Sequence, residues 1–207
     1  MSNKDWTGNK NSIFKTLGAS NHTEKERQNE DYYATDPEAI NKLITKYQLP
    51  EVIYEPCCGE GHLAKRLMKL GHTVIATDLI DRGFGKGGVD FLKVNKMPEN
   101  CKCILTNPPY KIALPIILHA LEILPEDGEC IMFLKTTFLE GKKRFQELYS
   151  KCPPVKIYQF SERVMCAKNG DFETMIKGGG SAVSYLFMIF KPHNKNLPTI
   201  DWIWKMT

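Results

Sequence analysis

The chain has 207 residues, 42% of them apolar and 25% charged, with 15 glycines, 12 prolines and a formal net charge of +4. That apolar fraction excludes low-complexity, collagen-like and fully disordered chains, and the length suits one compact domain with a sizeable core. The charge is mild, so it permits a nucleic-acid partner without demanding one.

The polar start, Met1-Ser2-Asn3-Lys4-Asp5-Trp6, carries no secretory h-region. The longest nearly apolar stretch, Ile112 to Leu124, is interrupted by Pro115, His119 and Glu122 and falls short of the roughly 20 residues a bilayer needs. A soluble, cytoplasmic protein is expected. Seven cysteines is an odd number, and Cys57-Cys58 and Cys101-Lys102-Cys103 lack the two-residue gap of a zinc knuckle. Reduced, mostly buried thiols and no structural metal follow.

Residues 1–30 are polar, mix both charge signs and show neither helical nor strand periodicity, which reads as an arm preceding the folded part. Asp36-Pro37-Glu38 then reads as N-cap, first-turn proline and dipole-complementing acid, with Ile40, Leu43, Ile44 and Tyr47 on one helical face. Val52 to Tyr54 is a short buried strand running into Gly59-Glu60-Gly61. A helix with Leu63, Leu67 and Leu70 follows and closes at Gly71. Thr73 to Thr77 is a strand ending at Asp78. Cys103 to Thr106 is another, ending at Asn107-Pro108-Pro109-Tyr110 and followed by a helix over Leu114 to Leu124.

Asp127-Gly128 turns the chain into a strand at Cys130 to Leu134. Phe145 and Leu148 mark a further helix, and Val155 to Phe160 and Ala182 to Phe190 are strands with no helical pattern between them. Strands alternating with helices predict an α/β fold, Rossmann-like, with a mostly parallel twisted sheet and an antiparallel edge excursion near the C-terminus.

Gly59-Glu60-Gly61 with Ala64 has the G-x-G-x-x-A spacing of a nucleotide-binding turn between a strand and a helix. Such a turn needs glycine for tightness and for bare backbone that a ligand can approach. Asp78 lies 19 residues after Gly59, at the end of the next strand, where a carboxylate can accept hydrogen bonds from both ribose hydroxyls of an adenosine-containing cofactor. A nicotinamide enzyme, or a turn where glycine is sterically convenient, gives the same spacing. Glu55 before the loop disfavours an anionic pyrophosphate and suits a cofactor bearing an ammonium or sulfonium. Asp90-Phe91 offers an acceptor for an adenine amine and a ring to stack on it, although a turn residue beside a core aromatic reads the same way.

Asn107-Pro108-Pro109-Tyr110 is the sharpest feature. Each proline fixes its own φ and pushes the preceding residue to extended geometry, so the turn is stiff where an open α/β sheet presents its ligand crevice. Preorganised acceptors suit methyl transfer to an amine conjugated with a ring or a carbonyl. The Asn107 side-chain oxygen and the Pro108 carbonyl can hold its two N–H groups and aim the lone pair, and the Tyr110 ring can stack on a planar substrate.

These residues carry a family resemblance. Asn107-Pro108-Pro109-Tyr110, Glu55-Pro56-Cys57-Cys58-Gly59-Glu60-Gly61 and Asp31-Tyr32-Tyr33-Ala34-Thr35-Asp36-Pro37 resemble the catalytic, cofactor-loop and N-terminal motifs of DNA adenine-N6 methyltransferases, particularly the small prophage-type enzymes. The resemblance covers roughly residues 31–190. It implies S-adenosylmethionine as cofactor, with Tyr33 and Thr35 at its methionine end and Glu55, Pro56, Cys57, Gly59 and Gly61 along the loop. Asp78 would lie at its ribose and Asp90 and Phe91 at its adenine, with Leu79 also among the cofactor-binding residues. Asn107, Pro108, Pro109 and Tyr110 would act on an adenine flipped out of DNA, in a bacterial or phage-encoded protein. Asp36 departs from the pattern, standing where the family has a small residue or proline. The length also leaves no room for the separate target-recognition domain of restriction-associated members, so residues 31–207 are expected to form one catalytic domain.

Residues 141–170 hold seven basic side chains, among them Lys142, Lys143, Arg144, Arg163 and Lys168, against two acidic ones, an excess larger than that of the whole chain. A basic band there fits DNA phosphate contacts, and equally a solvated lysine-rich face. The glycine-rich loop from Arg163 to Gly180 is the candidate target-contacting element. An amino-methyltransferase acting on RNA adenine or on a protein glutamine would use the same turn. A non-catalytic nucleic-acid-binding module and a dinucleotide oxidoreductase are further alternatives.

Overall fold

The computed structural model describes residues 32–168, 170–177 and 183–204. The polar arm expected over 1–30, and Asn169 and Gly178 to Gly180 of the glycine-rich loop, lie outside the described residues.

Seven strands form the main sheet: β2 (Val52–Glu55), β3 (Thr73–Ala76), β4 (Cys103–Thr106), β5 (Glu129–Lys135), β6 (Lys156–Phe160), β8 (Tyr185–Phe190) and β9 (Thr199–Ile203). Their order is β3-β2-β4-β5-β8-β6-β9. Only β8 runs against the rest. It pairs antiparallel with β5 and β6, while β2–β3, β2–β4, β4–β5 and β6–β9 are parallel. Two further strands, β1 (Tyr33–Thr35) and β7 (Cys166–Lys168), pair antiparallel as a separate ribbon with Thr35 opposite Cys166.

Side chains alternate across the sheet, so each strand feeds two cores. Leu105, Ile131, Phe133 and Phe187 face the helices α1 (Glu38–Leu43) and α2 (His62–Lys69), which contribute Ile40, Leu43, Leu63 and Leu67. Ile104, Met132, Leu186 and Met188 face α3 (Ala113–Ile123), which contributes Ile116, Ile117 and Ala120. Central strands covered on both faces read as unbroken apolar runs, as β5 and β8 do. Pro115 is tolerated because it falls in the first turn of α3, where its missing N–H has no intrahelical partner. Among the described residues, no helix is long and apolar enough to cross a membrane.

Several boundaries differ from the sequence expectation. The helix after Asp36 spans only six residues, and the Asp36 carboxylate accepts the Glu38 N–H at 2.9 Å. The segment around Phe145 and Leu148 is a single α turn, α4 (Lys142–Arg144), continued by a π-helical turn over Phe145–Tyr149. A six-residue helix, α5 (Phe172–Lys177), stands between β6 and β8 where no helix was expected. None of its residues is buried, so it carries no apolar stripe to read.

Phe133 is fully buried, stacked on Tyr185 with centroids 4.9 Å apart and flanked by Phe187 and Phe160. Phe133→Ala is expected to lower unfolding free energy by about 3–5 kcal/mol, measured by chemical denaturation.

Candidate active site

The C-terminal ends of β2, β3 and β4 lie side by side, and the sequence motifs converge there. β2 ends at Glu55, and the chain turns through Gly59 (φ +55°) and Gly61 (φ +79°) into α2. Both values lie in the left-handed region that favours glycine. The Gly59 N–H donates to Asp78 Oδ2 at 2.8 Å, and the Ile80 N–H donates to Oδ1 at 2.9 Å. Asp78 therefore ties the loop to the end of β3. Each of its oxygens keeps a lone pair for a further donor.

Two aromatic rings lie against the bare glycines. A Cβ on Gly59 would fall 2.1 Å from Tyr32 Cε2, and one on Gly61 would fall 2.3 Å from Phe84 Cδ1. The Tyr32 hydroxyl oxygen accepts the Glu60 N–H at 3.2 Å and lies 2.8 Å from His62 Nδ1. Burial pushes that hydroxyl up to about 12. The His62 ring also packs on Phe172 of α5, with centroids 5.7 Å apart.

Glu55 lies under this loop, 2% exposed, and its Oε2 has no hydrogen-bond partner. Burial, with a smaller contribution from the Asp78 charge, raises its carboxyl well above the usual range, and only the Ala64 N–H opposes the shift. Pro56 is buried, and burial likewise pushes the half-buried Cys57 thiol upward.

The proline turn follows β4. Asn107 Nδ2 donates to the Tyr33 carbonyl at 3.1 Å and to Thr35 Oγ1 at 2.8 Å, with Cys166 Sγ at 3.5 Å. A carbonyl oxygen can only accept, so these contacts assign the amide nitrogen to the β1–β7 side. Asn107 Oδ1 is buried without a partner. Pro108 is buried, and Pro109 is exposed with extended ψ (121°). Tyr110 places its hydroxyl 3.5 Å from Cys166 Sγ, and its ring lies near Tyr33 and Tyr185. Burial raises that hydroxyl well above its ordinary value.

The remaining expected residues are distributed unevenly. Thr35 is engaged by Asn107, and Leu79 is 62% exposed beside the glycine loop. Asp90 accepts the Leu92 N–H at 3.2 Å and pairs with Lys93. Phe91 is buried between Tyr54 and His119, packed as a core aromatic. Lys142, Lys143 and Arg163 are exposed, away from the turn's own contacts, and the side chain of Lys168 lies outside the described residues. Among the described side chains of the basic set, only Arg144 joins the turn, lining a cleft of about 100 Å³ with Tyr110, Lys135, Thr137 and Phe138. A larger cavity, lined by Tyr47, Leu49, Leu70 and His72 among others, lies by residues that precede β2 and β3, at the opposite end of the sheet.

Four contributors were not singled out from sequence: Tyr32, Phe84, Lys135 and Cys166. Tyr32 neighbours Tyr33, and Lys135 ends the strand next to β4, so position offered a signal for both. Phe84 and Cys166 are brought in by loop and ribbon folding, and nothing in their sequence surroundings marks them.

No family model matches the chain, and no curated protein matches it by sequence. Solved structures do match by shape. A protein of Thermoplasma acidophilum is similar with a TM-score of 0.54 at 14% identity, over 91% of this chain and 99% of that one. A Vibrio vulnificus protein assigned as the modification subunit of a type I restriction enzyme gives 0.52 at 11% identity, over 92% of this chain. This chain spans 49% of that subunit's length, and less than two thirds of several other structures it matches. The 1,6-didemethyltoxoflavin-N1-methyltransferase of Burkholderia thailandensis, solved with S-adenosylhomocysteine, gives 0.50 at 12% identity over 76% and 77% of the two chains. The fold is that of the Rossmann-like class I methyltransferases.

Because burial raises the Glu55 carboxyl well above its usual range, the folded state keeps this proton to higher pH than the unfolded chain, which releases it above about pH 4.5. The stability this proton supplies is complete below that pH and is lost as pH rises toward the folded-state value. Glu55→Gln is therefore expected to be more stable than wild type at pH 7.5, with the gap closing on acidification to pH 4, measured as paired melting curves.

Proposed function

We propose that this protein is an S-adenosylmethionine-dependent methyltransferase acting on the exocyclic N6 amine of adenine in DNA. The observation that carries the reading is the Asn107 amide, with its nitrogen held by Tyr33 and Thr35 and its oxygen buried and unpartnered. A buried acceptor left open beside a stiff turn is costly unless a ligand donor completes it.

Residues on the glycine side fit the cofactor. The close-approach backbone at Gly59 and Gly61, the Asp78 carboxylate at the end of β3 and the unpartnered Glu55 Oε2 form a cradle with acceptors for ribose hydroxyls and for a cationic group. Bound there, S-adenosylmethionine supplies an electrophilic methyl group and a neutral thioether as leaving group. The Glu55 proton is given up when a cation arrives beside it, since an opposite charge favours the ionised carboxyl.

The adenine amine is a poor nucleophile because its lone pair is delocalised into the ring. Asn107 Oδ1 and the Pro108 carbonyl accept its two N–H groups, draw the nitrogen toward tetrahedral geometry and aim the lone pair. The surplus proton on the methylated nitrogen leaves to water, and no general base is needed. Tyr110 acts through its ring, because burial raises its hydroxyl further above its ordinary value and away from acid–base work. The exposed cations Lys142, Lys143 and Arg163 favour a polyanionic substrate over a glutamine side chain.

Purified protein with labelled cofactor is expected to place methyl on adenine in unmethylated DNA. Label in RNA, in protein, or nowhere would overturn the proposal. Asn107→Ala is expected to lower the rate by about 10²–10³, the scale of removing one preorganised hydrogen-bonding group. Thr35→Val is expected to lower kcat by up to about tenfold through loss of one hydrogen bond to the amide, with KM little changed and Thr35→Ser restoring the rate. At 100 times its dissociation constant, S-adenosylmethionine is expected to stabilise the fold by about 2.7 kcal/mol in a thermal-shift assay.

A further inference from the structure

We infer that the cleft beside Tyr110 is an anion seat, in which Lys135 and Arg144 hold a phosphodiester of the strand that carries the target base. The inference rests on the methyl-transfer reading above and names the chemistry its substrate brings next to the reacting amine.

The cleft holds about 100 Å³ and is lined by Tyr110, Lys135, Thr137, Phe138 and Arg144. None of the five is acidic, so two like charges border one small volume. The Arg144 guanidinium is already fixed. Its Cζ lies 4.9 Å over the Phe138 ring, and Nη2 donates to the Thr137 carbonyl at 3.2 Å. Its Nε is buried and has no partner, so one guanidinium N–H is desolvated with nothing accepting it. Gly141 makes this placement possible, since a Cβ there would fall 2.8 Å from Arg144 Nη2. Lys135 reaches in from the end of β5, with Nζ 4.4 Å from the centre of the Tyr110 ring.

Size and donors favour a phosphate group. The cleft has room for several waters, and a planar guanidinium beside an ammonium suits the oxygens of a tetrahedral oxyanion. Tyr110 is shared by the cleft and the Asn107 turn, so an anion seated here belongs to the molecule whose amine sits at Asn107. A nucleotide always carries such a group, whereas a glutamine in a polypeptide does not.

The test measures affinity of the full chain for a short adenine-containing oligodeoxynucleotide as sodium chloride is varied. Arg144→Gln and Lys135→Gln are each expected to weaken binding at low salt. Each is also expected to reduce the slope of log affinity against log salt by about 0.7–0.9, the loss of one counterion-releasing contact. Lys69→Gln, at the far end of α2, is expected to keep the wild-type slope. Folded variants of both residues with the wild-type slope would overturn the seat, and if Arg144→Gln does not fold, Lys135→Gln decides alone. Wild type that methylates DNA while the slopes stay unchanged rejects the seat but leaves the methyl-transfer reading standing. Label on protein with no nucleic-acid binding removes both. An RNA oligonucleotide that shows the slope change when the DNA does not would keep the phosphodiester seat and reassign the polymer.

Discussion

The orientation of one side-chain amide organises this end of the molecule. Asn107 gives both N–H directions of its amide to the β1–β7 ribbon, and the consequence is an oxygen that faces away from it without a partner. A two-stranded ribbon of three-residue strands is marginal by itself. Here the Asp36 N–H extends the ladder to the Met165 carbonyl, and Asn107 and Tyr110 fasten Cys166 from the sheet side. The ribbon and the proline turn therefore hold each other. Both pack against the core under α1 and α2, through Cys166, Tyr33 and Tyr110, and together they set the direction of an acceptor.

Unpartnered buried polar atoms gather where the parallel strands end. Glu55 Oε2, Thr106 Oγ1 and Asn107 Oδ1 all lie at the C-terminal ends of the neighbouring strands β2 and β4. Each such group costs on the order of 1–3 kcal/mol against a satisfied one. These three atoms lie together at one edge, while the apolar interior of β5 and β8 carries the stability of the domain. At the other end of the sheet, Glu129 Oε2 receives the Tyr47 hydroxyl and fastens the chain after α1 to the start of β5, while its Oε1 is a further buried oxygen without a partner.

The glycine loop is bare in sequence and covered in space. A ligand reaching the backbone at Gly59 and Gly61 meets Tyr32 and Phe84 first. Tyr32 is joined to His62, and His62 to Phe172 of α5. The segment following β7 thus leans on the glycine loop through a chain of ring contacts, and displacing Tyr32 removes the first link in it.

Much of the fold could be read from the chain alone. The apolar runs of β4, β5 and β8, the left-handed glycines at 59 and 61, and the prolines at 108 and 109 act over a few residues, through sterics and periodicity that sequence displays directly. β1, β7 and α5 were not legible, because elements of three to six residues without a buried stripe show no period. The buried, unpartnered oxygen of Asn107, the burial of Glu55 and the pairing of Lys135 with Arg144 at one cleft were decided by tertiary structure. Each joins residues far apart in the chain, and only packing of the sheet against its helices and ribbon brings them together and removes the water that would otherwise partner them.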